Sequence, residues 1–158
     1  MRKPRCSVNL AASATALAAL AALAASTGAR AELGGQMSSQ TTSASAPQTL
    51  FNGALRTRTS VDAGGTTINE YATNTGRIVA YTWAGPTMPD LRALLGNYVD
   101  SYRTGAAALA ATGNGNLHAS RVVRPDVIVE SGGPMRSYAG RAWLPGGLPP
   151  GIVADDLQ

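Results

Sequence analysis

Short runs of alternating β-branched and aromatic residues flank a single helical pattern in this chain. Residues 66–73 and 77–84 are two such runs, and the Asn-Thr-Gly between them has the composition of a tight hairpin turn. The second run is apolar at both parities, which predicts a central strand buried on both faces. Its expected faces are Val79, Tyr81 and Trp83 on one side and Ile78, Ala80 and Thr82 on the other.

An amphipathic helix is predicted from about residue 87 to residue 105. Leucines and tyrosines recur there every three or four positions, at Leu91, Leu94, Leu95, Tyr98 and Tyr102. Thr87 stands three residues before Asp90, an acidic variant of the capping box, and Pro89 is expected in the first turn. Gly105 predicts the end of the helix or of its first section, and the alternative is one or two further turns over residues 106–112, ended by the Gly-Asn-Gly-Asn of residues 113–116.

Three further strands are predicted after the helix, over residues 118–123, 126–131 and 135–144. The whole pattern indicates a single α+β domain over residues 49–158. We expect an antiparallel sheet of five or six strands with one main amphipathic helix packed on one face.

The N-terminal 31 residues have the layout of a secretory signal peptide. A basic start is followed by an Ala/Leu-rich run and by Ala29, Arg30 and Ala31, which predicts cleavage after Ala31. The alternative is an uncleaved membrane anchor, because the run approaches the roughly 20 residues that span a bilayer. Residues 32–48 are rich in Gly, Ser, Thr and Gln and predict a flexible lead-in.

Cleavage changes the charge and the cysteine content of the chain. Four of the 13 basic residues and Cys6 lie in the predicted signal, whereas all nine acidic residues follow it. The mature chain would then be neutral, without lysine and without cysteine. This composition argues against a nucleic-acid partner, a Walker-type phosphate loop, a disulfide and a cysteine-ligated metal site.

Three stretches resemble one known family. They are YTWAGPTMPDLRALLGNYVDSY, DVIVESGGPMRSYAGRAWLP and LPPGIVADDL. They are similar to the proteobacterial exported family catalogued as domain of unknown function 2844, over most of the chain from about Leu50. The resemblance implies export and a single domain, and it assigns no catalytic or binding residue.

Catalytic groups are sparse. His118 is the only histidine, and no Gly-x-Ser-x-Gly elbow or cysteine nucleophile accompanies it. One histidine without cysteine makes zinc hydrolysis a poor fit, so we expect no metal and no cofactor. No spacing singles out a pair among the carboxylates, and we expect Asp126 and Glu130 to pair with arginines across strands.

Residues 130–145, ESGGPMRSYAGRAWLP, offer the best candidate for a binding surface. In a regular strand, Arg136 and Tyr138 face one way while Arg141 and Trp143 face the other. A β-bulge at Gly140 would instead place all four on one face, as an Arg/aromatic platform for a sugar, a carboxylate or a peptide. The alternative is that Gly140 makes room for a bulky neighbour such as Trp83 or Tyr98.

These features favour a non-catalytic binding or assembly accessory module of the bacterial envelope, periplasmic or secreted after Sec-type export. Its expected partner is an envelope component, a glycan or a peptide, and it meets the membrane only through the signal segment if that stays uncleaved. The competing hypotheses are a small periplasmic hydrolase acting on envelope carbohydrate or peptide through His118 and a carboxylate, and a purely structural domain.

Overall fold

A single antiparallel sheet of seven strands organises the molecule. The structure, a computed structural model, describes residues 31–38, 44–113 and 119–157. The strands are β1 (Gln48–Leu50), β2 (Leu55–Val61), β3 (Thr67–Thr73), β4 (Ile78–Gly85), β5 (Ala119–Val123), β6 (Ile128–Gly132) and β7 (Tyr138–Trp143). They lie in the order β1-β2-β3-β4-β7-β6-β5, and every neighbouring pair is antiparallel.

The α+β class is confirmed, and the sheet is larger than the predicted five or six strands. Two strands account for the difference in physical terms. β1 has only three residues, too few to show an alternating pattern. β2 reads Leu-Arg-Thr-Arg-Thr-Ser-Val, without an apolar alternation, because it buries Arg58 rather than a hydrophobic side chain at its centre.

The helical segment consists of α1 (Leu91–Leu95), a 3₁₀ turn (Gly96–Tyr98) and α2 (Val99–Ala111). Its N-cap is Asp90, whose Oδ1 accepts hydrogen bonds from the amides of Arg92 at 2.9 Å and Ala93 at 3.2 Å. The prediction of Thr87 as the cap is therefore wrong. Thr87 bonds instead to Thr66, whose Oγ1 donates to the Thr87 carbonyl oxygen at 2.6 Å.

The break in the helix comes earlier than predicted. Gly96 has φ +52° and ψ −118°, a conformation that side chains disfavour, and the chain turns there between α1 and α2. Gly105 lies inside α2, where a Cβ would come within 2.5 Å of Val122 Cγ1. Its role is close approach of the helix to β5, and the prediction that it ends the helix is wrong.

Two hydrophobic clusters lie on opposite faces of the sheet. On the face that carries the helices, the helix side chains and the N-terminal segment pack against the sheet through the buried residues Leu33, Ala72, Ile78, Tyr81, Trp83, Leu95, Val127, Val129, Ala142 and Leu144. On the other face, which we call the far face, the buried residues are Leu55, Tyr71, Val79, Ala80, Trp143 and Leu157. The C-terminal tail, residues 145–157, packs on this second cluster through Leu148, Ile152, Ala154 and Leu157.

β4 is the central strand, as predicted, and residues Ile78 to Trp83 are all buried. Tyr81 and Trp83 share one face and Ala80 and Thr82 the other, as predicted. Ile78 and Val79, at the start of the strand, lie on the faces opposite to those predicted. The register with β3 shifts between Tyr71 and Ala72, so Ile78 joins the helix-side cluster and Val79 the far-face cluster. The physical cause is a bulge, which inserts one residue and reverses the parity behind it.

Residues 31–38 pack against the sheet instead of forming part of a flexible lead-in. The amide of Leu33 donates to the Leu94 carbonyl at 2.8 Å, and Gly34 and Gly35 exchange backbone hydrogen bonds with Ile78 at 2.9 Å. Leu33 is buried in the helix-side cluster. Composition does not predict this packing, because only Leu33 is buried, Ala31 and Met37 are partly buried, and backbone hydrogen bonds hold the rest of the segment.

A buried ion pair lies beside the N-terminal segment on the helix side. Arg58 on β2 and Glu70 on β3 are directly opposite, with Arg58 Nη2 to Glu70 Oε1 at 3.1 Å, and both side chains are under 10% exposed. Arg58 also donates to the Ser38 carbonyl, and the Tyr81 hydroxyl donates to Glu70 Oε2 at 3.4 Å. The pair therefore joins three strands and the N-terminal segment.

The predicted signal peptide, apart from Ala31, lies outside the described residues, as does His118. Among the helices that the structure describes, none has the length and apolar character needed to cross a membrane.

Candidate functional site

A row of polar side chains crosses six strands on the far face. Each member pairs directly with the next in the sheet register: Thr59, Asn69, Thr82, Arg141, Glu130 and Arg121, on β2, β3, β4, β7, β6 and β5 respectively. Cross-strand neighbours lie close enough for their side chains to contact. The row therefore forms a continuous line of hydrogen-bonding groups across the sheet.

The β2–β4 half of the row is neutral. Thr59 Oγ1 donates to Asn69 Oδ1 at 2.8 Å, and Asn69 Nδ2 donates to Thr82 Oγ1 at 3.2 Å. Thr82 is an acceptor in this chain of bonds, so the hydrogen of its hydroxyl is left to be donated elsewhere. Thr82 is thus a hydrogen-bond donor near the middle of the far face.

The β5–β7 half of the row is charged. Both carboxylate oxygens of Glu130 are engaged by arginines: Oε2 by Arg141 Nε at 2.6 Å and Oε1 by Arg121 Nε at 3.0 Å. Arg141 reaches further, with Nη2 at 2.6 Å from Asp155 Oδ1 and Nη1 donating to the Ala154 carbonyl at 2.9 Å. Glu130 thus links the two arginines, and Arg141 also contacts the C-terminal tail.

Arg141 is the hub of this network. Its guanidinium carbon lies 5.4 Å from the ring centroid of Trp143, two residues along the same strand, a cation–π distance. Partial burial lowers the pKa of Arg141, but hydrogen bonds and charges of Glu130 and Asp155 more than reverse this, and the net direction is upward. Arg141 is a permanent cation that holds the C-terminal tail on the sheet.

A row of small side chains runs beside the polar row, toward the ends of the strands. Its members are Thr67, Ala84, Ala139, Gly132 and Ala119, again paired strand by strand. Because these side chains are short, they leave an open groove of about 640 Å³ above the sheet. The small row is its floor, the polar row from Asn69 to Arg121 is its wall, and Leu157 of the tail borders it. We call this the far-face groove.

The strand that carries the predicted platform is regular. β4 and β7 pair without interruption from Gly85↔Tyr138 to Ala80↔Trp143, so no bulge occurs at Gly140. A Cβ at Gly140 would come within 2.4 Å of Trp83 Cζ2, so the glycine makes room for that indole ring. This is the second of the two arrangements considered from the sequence.

The structure therefore separates the four predicted binding residues. Arg141 and Trp143 share the far face. Tyr138 lies at the opposite parity, on the helix side of the sheet. Arg136 precedes the strand, in an exposed loop, with φ +68°. Of the four, only Arg141 lines the far-face groove.

Sequence reasoning did not identify the groove itself. It anticipated the pairing of Glu130 with an arginine across strands, and the structure confirms Arg121 as such a partner. Thr82 and Asn69 were overlooked because a threonine and an asparagine in a strand carry no motif. The available signal was register: polar residues at matching positions of successive predicted strands line up across a sheet.

The groove holds no arrangement typical of catalysis in the part of the chain that the structure describes. There, no three His, Cys, Asp or Glu side chains come together as a metal site. Glu130 is the one carboxylate that lines the groove, and both of its oxygens face arginines. The groove offers hydrogen-bonding groups, charge and a floor of small side chains.

Comparisons with known proteins give a family without a function. No curated protein and no solved structure matches this chain. A family model described as Protein of unknown function (DUF2844) matches residues 29–157, which include all of the described residues, and it confirms the resemblance to that family. The chain belongs to the DUF2844 family.

Proposed function

We propose that this protein is a non-catalytic binding or assembly accessory module of the bacterial envelope, which holds its ligand in the far-face groove. The signal pattern of residues 1–31 supports export. The observation that carries the binding role is the groove itself, where a polar wall and a small-residue floor run together across several strands.

The groove suits an extended chain better than a stacked sugar ring. Its floor consists of threonine, alanine and glycine, and no aromatic side chain is displayed on it, since Trp83 lies on the helix side and is buried. Sugar recognition commonly uses an exposed aromatic face, whereas a flat floor admits an extended backbone. We therefore favour a peptide over a glycan as the envelope component that binds here.

A variant that fills the groove tests this proposal. Ala139 is exposed on the groove floor, so Ala139→Phe places a ring in the groove without entering the core. Ala107→Phe is the matched control, because Ala107 is exposed on α2, on the other face of the sheet. The purified mature protein is screened against muropeptides, glycans and envelope peptides by calorimetry.

We expect a ligand that binds without being turned over. Ala139→Phe should weaken its binding by at least about tenfold, a steric loss of about 1.4 kcal/mol, while Ala107→Phe leaves it unchanged. Equal binding by the two variants would remove the groove from the proposal. Turnover of a glycan, peptide or ester that is abolished by His118→Ala would establish the hydrolase hypothesis instead.

A further inference from the structure

The C-terminal tail shows what the far face can recognise. Arg141 binds the carboxylate of Asp155 and the backbone carbonyl of Ala154, and the side chain of Leu157 is buried beside them with 4% exposure. The recognised pattern is thus an acidic residue, a carbonyl and an aliphatic side chain within four residues, namely the short turn Ala154–Asp156 and the Leu157 that follows it. The turn therefore binds Arg141 with the groups that a separate peptide could also supply.

The polar part of this contact is easily exchanged. The side chain of Asp155 is 80% exposed, so its ion pair with Arg141 competes with water and salt. The turn follows Gly151, which has φ +84° and open space around the position of a Cβ. A glycine pivot therefore precedes a turn that is held by the apolar contacts of Ile152, Ala154 and Leu157, by the Ala154 carbonyl and by an exposed ion pair.

The tail leaves the adjoining site empty. Leu157 borders the far-face groove, and within the described residues the polar contacts of the tail with the row go to Arg141, whereas Thr82 is bonded by Asn69 and Arg121 pairs with Glu130. The side chain of Arg121 is 62% exposed at the other end of the charged half of the row. A longer segment that took the place of the turn on Arg141 would also reach the groove floor and this second arginine.

We propose that an acidic, aliphatic segment of a partner protein displaces the turn Ala154–Asp156 from Arg141 and extends along the far-face groove toward Arg121. The inference rests on the proposed function and names the partner chemistry for the same site. A tail exchanged from a second copy of this chain would repeat the present contacts and leave the groove as empty as before. The unused groove therefore favours a different chain as the occupant.

A peptide competing with the tail tests the inference. The probe is a fluorescein-labelled synthetic peptide of residues 152–158, Ile-Val-Ala-Asp-Asp-Leu-Gln, and its control carries Asn in place of both aspartates. Binding to the mature protein is followed by anisotropy. Asp155→Asn weakens the resident turn, whereas Asp100→Asn removes the same charge from an exposed site on α2.

We expect Asp155→Asn to bind the probe roughly two- to fivefold more tightly than the unchanged protein, because loss of an exposed ion pair raises the fraction of displaced tail by that factor. Asp100→Asn should leave the affinity unchanged. In the Asp155→Asn background, where the resident turn no longer has its ion pair with Arg141, Arg141→Gln should weaken binding of the probe by at least about tenfold, as expected for the loss of a hydrogen bond to a charged group. If Arg141→Gln does not fold, Arg141→Lys, which keeps the charge and lacks the fork, should show a smaller loss in the same direction.

Two results would overturn the inference. One is equal binding of the acidic and the Asn-containing peptides, with no difference between Asp155→Asn and Asp100→Asn. The other is a dimer of the Asp155→Asn variant, detected by analytical ultracentrifugation, that dissociates when the peptide is added. Such a dimer would show that tails are exchanged between copies. Either result leaves the groove experiment with Ala139→Phe untouched, so failure here is distinguishable from failure of the proposed function.

Discussion

Glu70 is a buried acidic side chain, and its ion pair with Arg58 offsets part of the desolvation cost of its charge. Burial raises the pKa of Glu70 above its ordinary value of 4.5, although the charge and hydrogen bonds of Arg58 and a hydrogen bond from Tyr81 act in the opposite direction. Desolvation is therefore larger than the attraction of the pair. The energetic cost of removing both charges from water therefore offsets much of the attraction between Arg58 and Glu70.

The raised pKa of Glu70 predicts how stability depends on pH. The folded state binds the Glu70 proton more tightly than the unfolded state, so the contribution of this group is full below pH 4.5 and is lost as the pH rises through its folded pKa. We expect the difference in unfolding free energy, wild type minus Glu70→Gln, to decrease as the pH rises from 4.5 through the folded pKa of Glu70. Urea denaturation of both proteins between pH 3 and pH 7 measures it, and a difference that rises with pH would contradict it.

Substitution of Arg58 tests the energetics of the same ion pair. Arg58→Met alone leaves a buried carboxylate without its partner and should cost about 3–5 kcal/mol. Arg58→Met combined with Glu70→Gln should regain most of this loss. Sequence patterns could not reveal this site, because two charged residues in strands 12 positions apart look like solvent-facing positions.

At the scale of the element, β7 is the strand whose character depends most on one residue. It lies between β4 and β6, and Gly140 sits at its centre with Trp83 packed over it. The backbone carbonyl of Glu130 also lies 2.5 Å from the position of a Cβ there. The absence of a side chain is therefore a packing requirement of the sheet.

We predict that Gly140→Ala lowers the free energy of unfolding by about 1–3 kcal/mol, the usual cost of overpacking. The matched control is Gly146→Ala, because that glycine has nothing within 4 Å of a Cβ and no positive φ. Thermal denaturation of the two variants measures the difference. An unchanged melting temperature for Gly140→Ala would mean that the sheet and the indole ring of Trp83 adjust freely.

Much of the element content could be predicted from the sequence. The hairpin of β3 and β4, the amphipathic helix and the three later strands follow from periodicity and turn composition, because those segments bury apolar faces. β2 was not predicted because the buried residue at its centre, Arg58, is charged. The packing of residues 31–38 was not predicted because backbone hydrogen bonds hold much of this segment. The groove was not predicted for a third reason. Its floor is formed by one small residue from each of five strands, so no single strand shows a recognisable sequence pattern.

At the scale of the whole molecule, both ends of the described chain attach to β4. The N-terminal segment bonds to Ile78, and Leu144 donates to the Val79 carbonyl at 3.0 Å. The C-terminal tail then continues over the far face. The predicted cleavage after Ala31 falls two residues before the buried Leu33, so processing would expose an end that is already part of the fold.

We predict that the protein isolated from the periplasm begins Glu-Leu-Gly-Gly, from residue 32. Edman sequencing or intact-mass measurement checks this. Ala31→Arg, which replaces the small residue at the cleavage point, should leave the precursor uncut and membrane-bound. A product that keeps Met1 and lies in the cytoplasm would refute export.

The position of β7 in the sheet order also governs when folding can finish. β1 to β4 are consecutive neighbours, and β5, β6 and β7 form a second consecutive group, but the seam between the groups is β4 with β7. This seam joins segments separated by the helices and two strands, so its formation carries the entropic cost of closing a long loop. β7 is also the last strand along the chain, and a partly emerged polypeptide holds two half-sheets whose open edges cannot yet meet. A chain translocated from its N-terminus would thus lack the continuous seven-stranded sheet until nearly all of it had crossed the membrane.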